Sequence, residues 1–419
     1  MGVGGYFLYR LEEEIGAQER EEEERKGERR FVHAFCQGNL LKEDYGREDM
    51  LAKKALSKGK QMSVDERLAL IKQVADGGEL IGEDELRAML ASGKQLVAYD
   101  GFEPSGLAHI PFGLLRAENL KLMQQAGVHF KLWLADYFAF INNKLGGDMN
   151  RIKRAGEYFV EVWKACGVDM SKVEIIWASE RMDSITYWDR VLKVAKETTL
   201  NRTMRATTIM GRKEGDLQTT AQLFYPSMQV SDVFELDVDI CQLGLDQRRA
   251  NILAREVADK LKWKKPVVVS HHMIMGLQGV QPGTDKEDVI IASKMSKSKP
   301  ESCIYMHDTL TEITTKINKA YCPEKIIEGN PLFDYLKYLI MKRYPTITVK
   351  RPVKFGGDWT GTYDELVAVY QAGKLHPMDL KATVVRYMDE MIAPVREYFE
   401  KNKKAKALYE EVKQYSITR

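Results

Sequence analysis

Apolar residues recur along this chain with two different periods, and the alternation between them lays out a fold. From Ser63 the period is helical: Ser63-Val64-Asp65-Glu66 forms a capping box, and Leu68, Ile71 and Val74 follow on one face. A second short helix carries Leu86, Met89 and Leu90. Gln95-Leu96-Val97-Ala98-Tyr99 then predicts a strand. A Gly/Pro/Ser loop follows, and Pro111 takes a favoured first-turn position in a helix bearing Leu114, Leu115, Ala117, Leu120 and Met123. Residues 130–136 predict a second strand, 151–165 a helix, 173–177 a third strand, 185–196 another helix, and Val267-Val268-Val269 a further apolar strand. Strands alternating with helices imply an α/β fold, a parallel sheet wrapped by helices. Ligands of such sheets bind beyond the carboxyl ends of the strands, where the strand order reverses. The loops after Tyr99 and after Val269 are expected there. Beyond Pro300 the pattern is mainly helical, with turns at Phe355-Gly356-Gly357-Asp358 and Leu375-His376-Pro377-Met378-Asp379.

Composition narrows the class. Residues 11–30 mix Glu and Arg densely with too few apolar residues to bury a face, so 1–60 reads as a charged extension, a lone helix or a disordered tail. The net charge of +2 neither demands nor excludes a nucleic-acid partner, which leaves that question to local patches. The five cysteines (Cys36, Cys166, Cys241, Cys303, Cys322) include no C-x-x-C pair, which argues against a zinc site and a disulfide framework and fits a reducing compartment. No apolar run approaches membrane-spanning length, and the acidic N-terminus suits neither a secretory nor a mitochondrial leader, so the expected location is cytoplasmic. The adjacent His271 and His272 point to opposite sides of a strand and are not expected to share a metal ion.

Two segments carry candidate chemistry. Lys294-Met295-Ser296-Lys297-Ser298 alternates lysines with serines and can deliver two ammonium groups to a polyphosphate. Upstream, Gly101-Phe102-Glu103-Pro104-Ser105-Gly106-Leu107-Ala108-His109-Ile110 is a glycine-bearing loop that leads into a helix, where free N–H groups favour anions. Each alone also fits a solvated turn or a structural histidine. Together, on opposite halves of one sheet, they are suited to hold the two ends of a triphosphate.

The pair resembles the two signatures of class I aminoacyl-tRNA synthetases. Within that class the chain is similar to the tyrosyl-tRNA synthetases of archaea and the eukaryotic cytosol, from about Ser63 onward. The matching segments are 99–106, Tyr225-Pro226-Ser227-Met228-Gln229-Val230-Ser231-Asp232, Gly244-Leu245-Asp246-Gln247-Arg248-Arg249, Lys354-Phe355-Gly356-Gly357-Asp358 and His376-Pro377-Met378-Asp379-Leu380-Lys381. The resemblance implies a Rossmann-like catalytic domain (61–300) followed by an α-helical anticodon-binding domain (301–419). It implies a tyrosine-tRNA ligase that forms tyrosyl-adenylate from L-tyrosine and ATP, then passes the tyrosyl group to tRNA(Tyr). ATP would bring Mg²⁺, with no protein-held metal and no prosthetic group, and the enzyme would be a homodimer.

The resemblance also implies roles. Lys294, Lys297 and His109 would act on the phosphates, and Gly101, Glu103, Gly106, His109 and Lys297 would bind ATP. Tyr225, Gln229 and Gln247 would receive the substrate ammonium, and Tyr99 and Asp232 its phenolic hydroxyl. Arg248 would read the first acceptor base pair, and Phe355 and Asp379 the anticodon. A site built around a phenol rejects phenylalanine because its buried polar groups would be left unpaired. Tyrosyl-tRNA synthetases are themselves the standing example, at about 10⁵-fold without editing. Phe112 stands where the family's first signature has a second histidine, which would move phosphate work onto His109 and the lysines. Other readings remain open at this point. Tyr225 and Phe355 could be core aromatics, and Asp232, Asp246 and Asp379 helix caps. The whole chain could be a tryptophanyl enzyme or a non-catalytic RNA-binding relative.

Overall fold

Six short strands form one sheet, in the order β1-β6-β5-β2-β3-β4. They are β1 (Glu79–Ile81), β2 (Val97–Phe102), β3 (His129–Leu134), β4 (Val173–Trp177), β5 (Ile240–Cys241) and β6 (Val267–Ser270). All neighbours are parallel except β1, which runs antiparallel along β6 with Glu79 opposite Ser270. The computed structural model describes residues 62–211, 217–280, 295 and 300–416, so the charged extension 1–60 lies outside the described residues. The α-helices of five residues or more among the described residues are α1 (Val64–Val74), α2 (Glu83–Ala91), α3 (Arg116–Gln125), α4 (Asp136–Ile141), α5 (Met149–Ala165), α6 (Ile185–Lys196), α7 (Leu200–Ala206), α8 (Ala221–Glu235), α9 (Arg248–Leu261), α10 (Leu310–Lys319), α11 (Pro331–Tyr335), α12 (Tyr363–Gln371), α13 (Pro377–Lys401) and α14 (Lys403–Val412). Among the described residues no helix is long and apolar enough to cross a membrane.

The capping box of α1 forms as its sequence predicts, with Ser63 and Glu66 bonding each other's backbone N–H. Pro111 opens a wide π-type turn over Pro111–Leu115, which passes into α3 rather than starting it. Two strands escape the hydrophobic pattern. β5 is two residues long, and β1 is a three-residue edge strand, too short for a period-2 signal. The region beyond Pro300 is helical apart from a hairpin, β7 (Ile347–Val349) with β8 (Trp359–Gly361), which carries the Phe355-Gly356-Gly357-Asp358 turn.

The alternation along each strand sorts the core into two layers. Ala98, Phe130, Leu132, Leu134, Val267 and Val269 pack with α1, α3, α5 and the helices after residue 300. Tyr99, Trp133, Ile176 and Cys241 face the other way, onto Tyr187, Val191 and Val194 of α6, Met228 of α8 and Leu253 of α9. Tyr99 and Asp100 therefore serve opposite sides of the sheet. Gly156 lets α5 approach closely, because a Cβ there would lie 2.4 Å from the Trp177 ring and 3.4 Å from Pro104. Gly156→Ala is expected to cost about 1–3 kcal/mol by overpacking, read as a lower urea midpoint with an unchanged m-value.

Candidate active site

The strand order reverses at β2, which has β3 on one side and β5 on the other. The loop expected after Tyr99 leaves the carboxyl end of β2 at this reversal point, and its neighbour there is 242–247 after β5, a strand the hydrophobic pattern missed; the loop after Val269 follows the next strand, β6. Tyr99 leaves β2 toward α8, where Tyr225, Gln229 and Asp232 share a buried face at spacings of four and three.

Asp232 lies near the end of α8 and is 1% exposed, so it is neither an N-cap nor a surface acid. Its Oδ1 accepts a 2.7 Å hydrogen bond from the Tyr187 hydroxyl. Burial pushes the Asp232 carboxyl well above its ordinary range, and the Tyr187 bond works against that rise. Tyr99 is equally buried, and its hydroxyl has no hydrogen-bond partner among the described residues. Burial and the nearby Cys241 and Asp232 raise its pKa, so this phenol stays protonated. A buried, partnerless hydroxyl beside a buried carboxylate is a costly arrangement unless a ligand completes it.

Two helical turns from Asp232, the Tyr225 hydroxyl donates to Glu103 Oε1 at 2.7 Å, which a core aromatic chosen for packing alone would not need. Asn142 Nδ2 donates to both Glu103 oxygens at 3.0 and 3.1 Å, and Lys144 Nζ stands 3.7 Å from Oε2. Gln229 Nε2 donates to Gln247 Oε1 at 3.0 Å, and Gln247 Nε2 donates to the Ile209 carbonyl at 3.1 Å. The residues expected around an ammonium group are thus brought together. Tyr187, Asn142 and Lys144 were not anticipated. Tyr187 sits among the apolar positions of α6, and Asn142 and Lys144 belong to a turn in which Asn143 and Leu145 adopt positive φ (56° and 53°).

The first signature loop is held by the segment that follows the second. Ile110 N–H donates to the Ile304 carbonyl and Met306 N–H to the Ala108 carbonyl, both at 3.0 Å, with His109 opposite Tyr305. The Ala108 amide also donates to the Tyr158 hydroxyl at 3.3 Å. Gly106 has φ +106°, a conformation that favours glycine. Gly101, at the end of β2, donates its N–H to Asp100 Oδ1 at 2.8 Å. Phe112 points into an aromatic cluster with Phe102, Phe159 and Trp163, 4.0–5.1 Å between ring centroids, so this position belongs to the core. Lys294 and Lys297 lie outside the described residues. Met295 between them is buried, and its N–H donates to the Ile274 carbonyl at 2.8 Å.

Beneath the reversal point, on the α3 side of the sheet, the buried Arg116 bonds Asp100 and Gln242. His271 Nδ1 lies 3.0 Å from Gln242 Nε2 and 3.4 Å from Arg116 Nη2. Burial and Arg116 drive the His271 pKa well down, so the ring is neutral. His272 turns away to Asp334 at 2.6 Å and stacks on Tyr338. The two rings diverge as expected, and no metal-binding cluster occurs among the described residues.

The expected RNA contacts lie elsewhere. Arg248 heads α9 and is bonded through two nitrogens to Glu79 on β1, at 2.6 and 2.9 Å. Phe355 is 60% exposed with Lys354 Nζ 4.9 Å from its ring centre, so it is not a core anchor. Lys350 pairs with Asp358 and Arg351 bonds the Gly357 and Lys374 carbonyls, which braces the hairpin turn. His376 caps α13 through Nδ1, and Asp379 sits in the first turn instead of capping. Asp246 lies in a short turn before α9.

Residues 91–393 match the family described as tRNA synthetases class I (W and Y). The chain is 44% identical over 369 residues to Arabidopsis thaliana tyrosine–tRNA ligase 1, cytoplasmic, covering 87% of this chain and 92% of that one. It is 44% identical to the tyrosine–tRNA ligase of Saccharolobus solfataricus, over 85% of this chain and 99% of the relative. Its fold matches the crystal structure of a tyrosyl-tRNA synthetase complexed with L-tyrosine from Pyrococcus horikoshii, with TM-score 0.78 and 38% identity over 84% of this chain and all of that one. These relatives set aside the tryptophanyl and non-catalytic readings. With a reversed-order parallel sheet, a buried acid beside a buried phenol, and such similarity along most of its length, the chain belongs to the tyrosyl-tRNA synthetases of class I.

Proposed function

We propose that this tyrosine–tRNA ligase selects its amino acid through Tyr99 and Asp232 at the phenol end and through Tyr225, Gln229 and Gln247 at the ammonium end. The observation that carries the reading is the buried Asp232 carboxyl group close enough to the partnerless Tyr99 hydroxyl to raise its pKa. A substrate phenol can donate to the first and accept from the second. Glu103 belongs to the loop expected to bind ATP and, tied to Tyr225, joins that loop to the amino-acid slot, where it adds negative charge facing a cationic amine. The substrate carboxylate then attacks the α-phosphorus of ATP, and tyrosyl-adenylate forms as pyrophosphate leaves. Gly101 and Gly106 let backbone approach the nucleotide, and His109 with Lys294 and Lys297 offsets charge on the departing pyrophosphate. Mg²⁺ enters with ATP as part of the substrate. The test is ATP–pyrophosphate exchange across the twenty amino acids. L-tyrosine should support it alone at micromolar enzyme, and faster exchange with tryptophan would overturn the assignment.

Exposure of Phe355 and Arg248 supports the expected tRNA(Tyr) contacts. Phe355 on its hairpin offers an uncovered ring for stacking an unpaired anticodon base, with Asp379 as a hydrogen-bond acceptor, and the region 301–419 serves as the anticodon-binding part. Arg248, exposed at the head of α9, serves the acceptor stem. Phe355→Ala should lower kcat/KM for tRNA charging by about 10-fold or more, the cost of one lost base stack, while pyrophosphate exchange stays at the wild-type rate. Equal losses in both would make the ring a folding element instead.

A homodimer is supported by apolar side chains left outside the core. On α6, Ile185 is 84% and Leu192 63% exposed, and Leu200 and Phe140 are 68% and 48% exposed. The cytoplasmic location is supported by the cytoplasmic designation of the Arabidopsis relative.

A further inference from the structure

We infer that Tyr187 is a positioning residue for tyrosine selection: its hydroxyl pins Oδ1 of Asp232, so that the carboxylate meets the substrate phenol in one fixed orientation. This rests on the assignment of Asp232 and Tyr99 to the phenol. Asp232 belongs to α8 and Tyr187 to α6, so the 2.7 Å bond also fixes the carboxylate across a helix–helix contact. An aspartate carboxyl turns through a broad, roughly two-fold torsion at χ2, and its backbone alone does not set where the oxygens point. Tyr187 is fully buried, with its ring edge-on to Trp188 at 5.8 Å and packed among Val191 and Met228, so it is a stiff donor. The Tyr99 hydroxyl, on the strand facing α8, does not share that carboxylate and is left for the ligand. Selection then depends on three phenols, two from the protein and one from the substrate. Tyr187 fixes the acid, Tyr99 offers the second partner, and the substrate hydroxyl completes the set. A phenylalanine ring would leave an acid already desolvated and immobilised with an unmet acceptor, a cost that a freely turning carboxyl would partly relieve.

A buried tyrosine hydroxyl also needs a partner for its own sake, and this one lies 3.4 Å from the Met228 carbonyl as well. The two roles separate in the choice of substrate. Tyr187→Phe removes one oxygen and keeps the ring. In ATP–pyrophosphate exchange with L-tyrosine and L-phenylalanine, this variant should lose about 10–100-fold in kcat/KM for tyrosine, mainly through KM, and hold or rise by up to about twofold for phenylalanine. The tyrosine-to-phenylalanine ratio falls by the same factor. Equal losses with both amino acids, or no loss with tyrosine, would overturn the inference. Asp232→Asn, measured alongside, separates this inference from the reading beneath it. If Asp232→Asn leaves the ratio intact, the phenol assignment itself falls. If Asp232→Asn collapses the ratio and Tyr187→Phe does not change it, only the role of Tyr187 falls.

Discussion

Replacing Lys297 with alanine is expected to slow tyrosyl-adenylate formation by about 10²–10³-fold, the usual cost of removing one group aimed at developing charge. Tyrosine affinity should stay close to wild type, because the proposed amino-acid slot draws on β2, α8 and the start of α9. Adenylate formation involves little acid–base chemistry, and its barrier is set by in-line positioning and by neutralising the pyrophosphate that leaves. Two cationic side chains and a histidine are available for that task. Phe112, where a second histidine would have helped, is committed to an aromatic cluster. On the proposed function, the burden therefore falls on the lysines. The structure holds the neighbouring segments in register, since Ala108–Ile110 is bonded to Ile304–Met306, just after the lysine run. Stopped-flow adenylate formation and equilibrium dialysis with tyrosine separate the two quantities. Unchanged pyrophosphate exchange at saturating ATP would remove Lys297 from the phosphate chemistry.

Arg116→Met is expected to cost about 3–5 kcal/mol of stability, because it strips a fully buried carboxylate of its counter-charge. Arg116 bonds Asp100 and Gln242 and lies under His271, and the four side chains span β2, α3, β5 and the end of β6. Desolvation already lifts Asp100 and lowers Arg116, so the pair survives through its mutual geometry and not through any surplus of attraction. The loss should appear as a lower urea midpoint. Asp100→Asn added to Arg116→Met should restore a large part of it, since an amide leaves no uncompensated charge. A single variant as stable as wild type would show that the carboxyl is accommodated in neutral form.

Helices and the sheet strands of four residues or more left a pattern in the sequence, and the shortest strands did not. The helix expected over 185–196 forms at those residues, and the capping box at Ser63 is present in detail. β1 and β5 were invisible because two or three residues carry no period, yet β5 makes the reversal point. The candidate site was legible where polar residues repeat on one buried helix face, as in Tyr225, Gln229 and Asp232. Tyr187 and Asn142 were not, since each contributes a single polar atom to a partner 45 and 39 residues away, Asp232 and Glu103 respectively. Such long-range pairs leave no local trace. The bland readings of Phe355 and Asp379 gave way to exposure and to a cap supplied by His376, quantities that only the folded chain defines.

The bond from Ala108 to Tyr158 reaches further than the loop it steadies. The Tyr158 ring is packed against Phe399 and Tyr409, and His307 lies between them, stacked 3.8 Å from Tyr409. Arg154 of α5 is clamped to Glu411, and the Tyr398 hydroxyl to Glu161. The last two described helices thus act as a buttress for the segment proposed to cradle the nucleotide. Cutting this enzyme back to its sheet would yield no miniature catalyst, because the far end of the polypeptide is masonry for the near one.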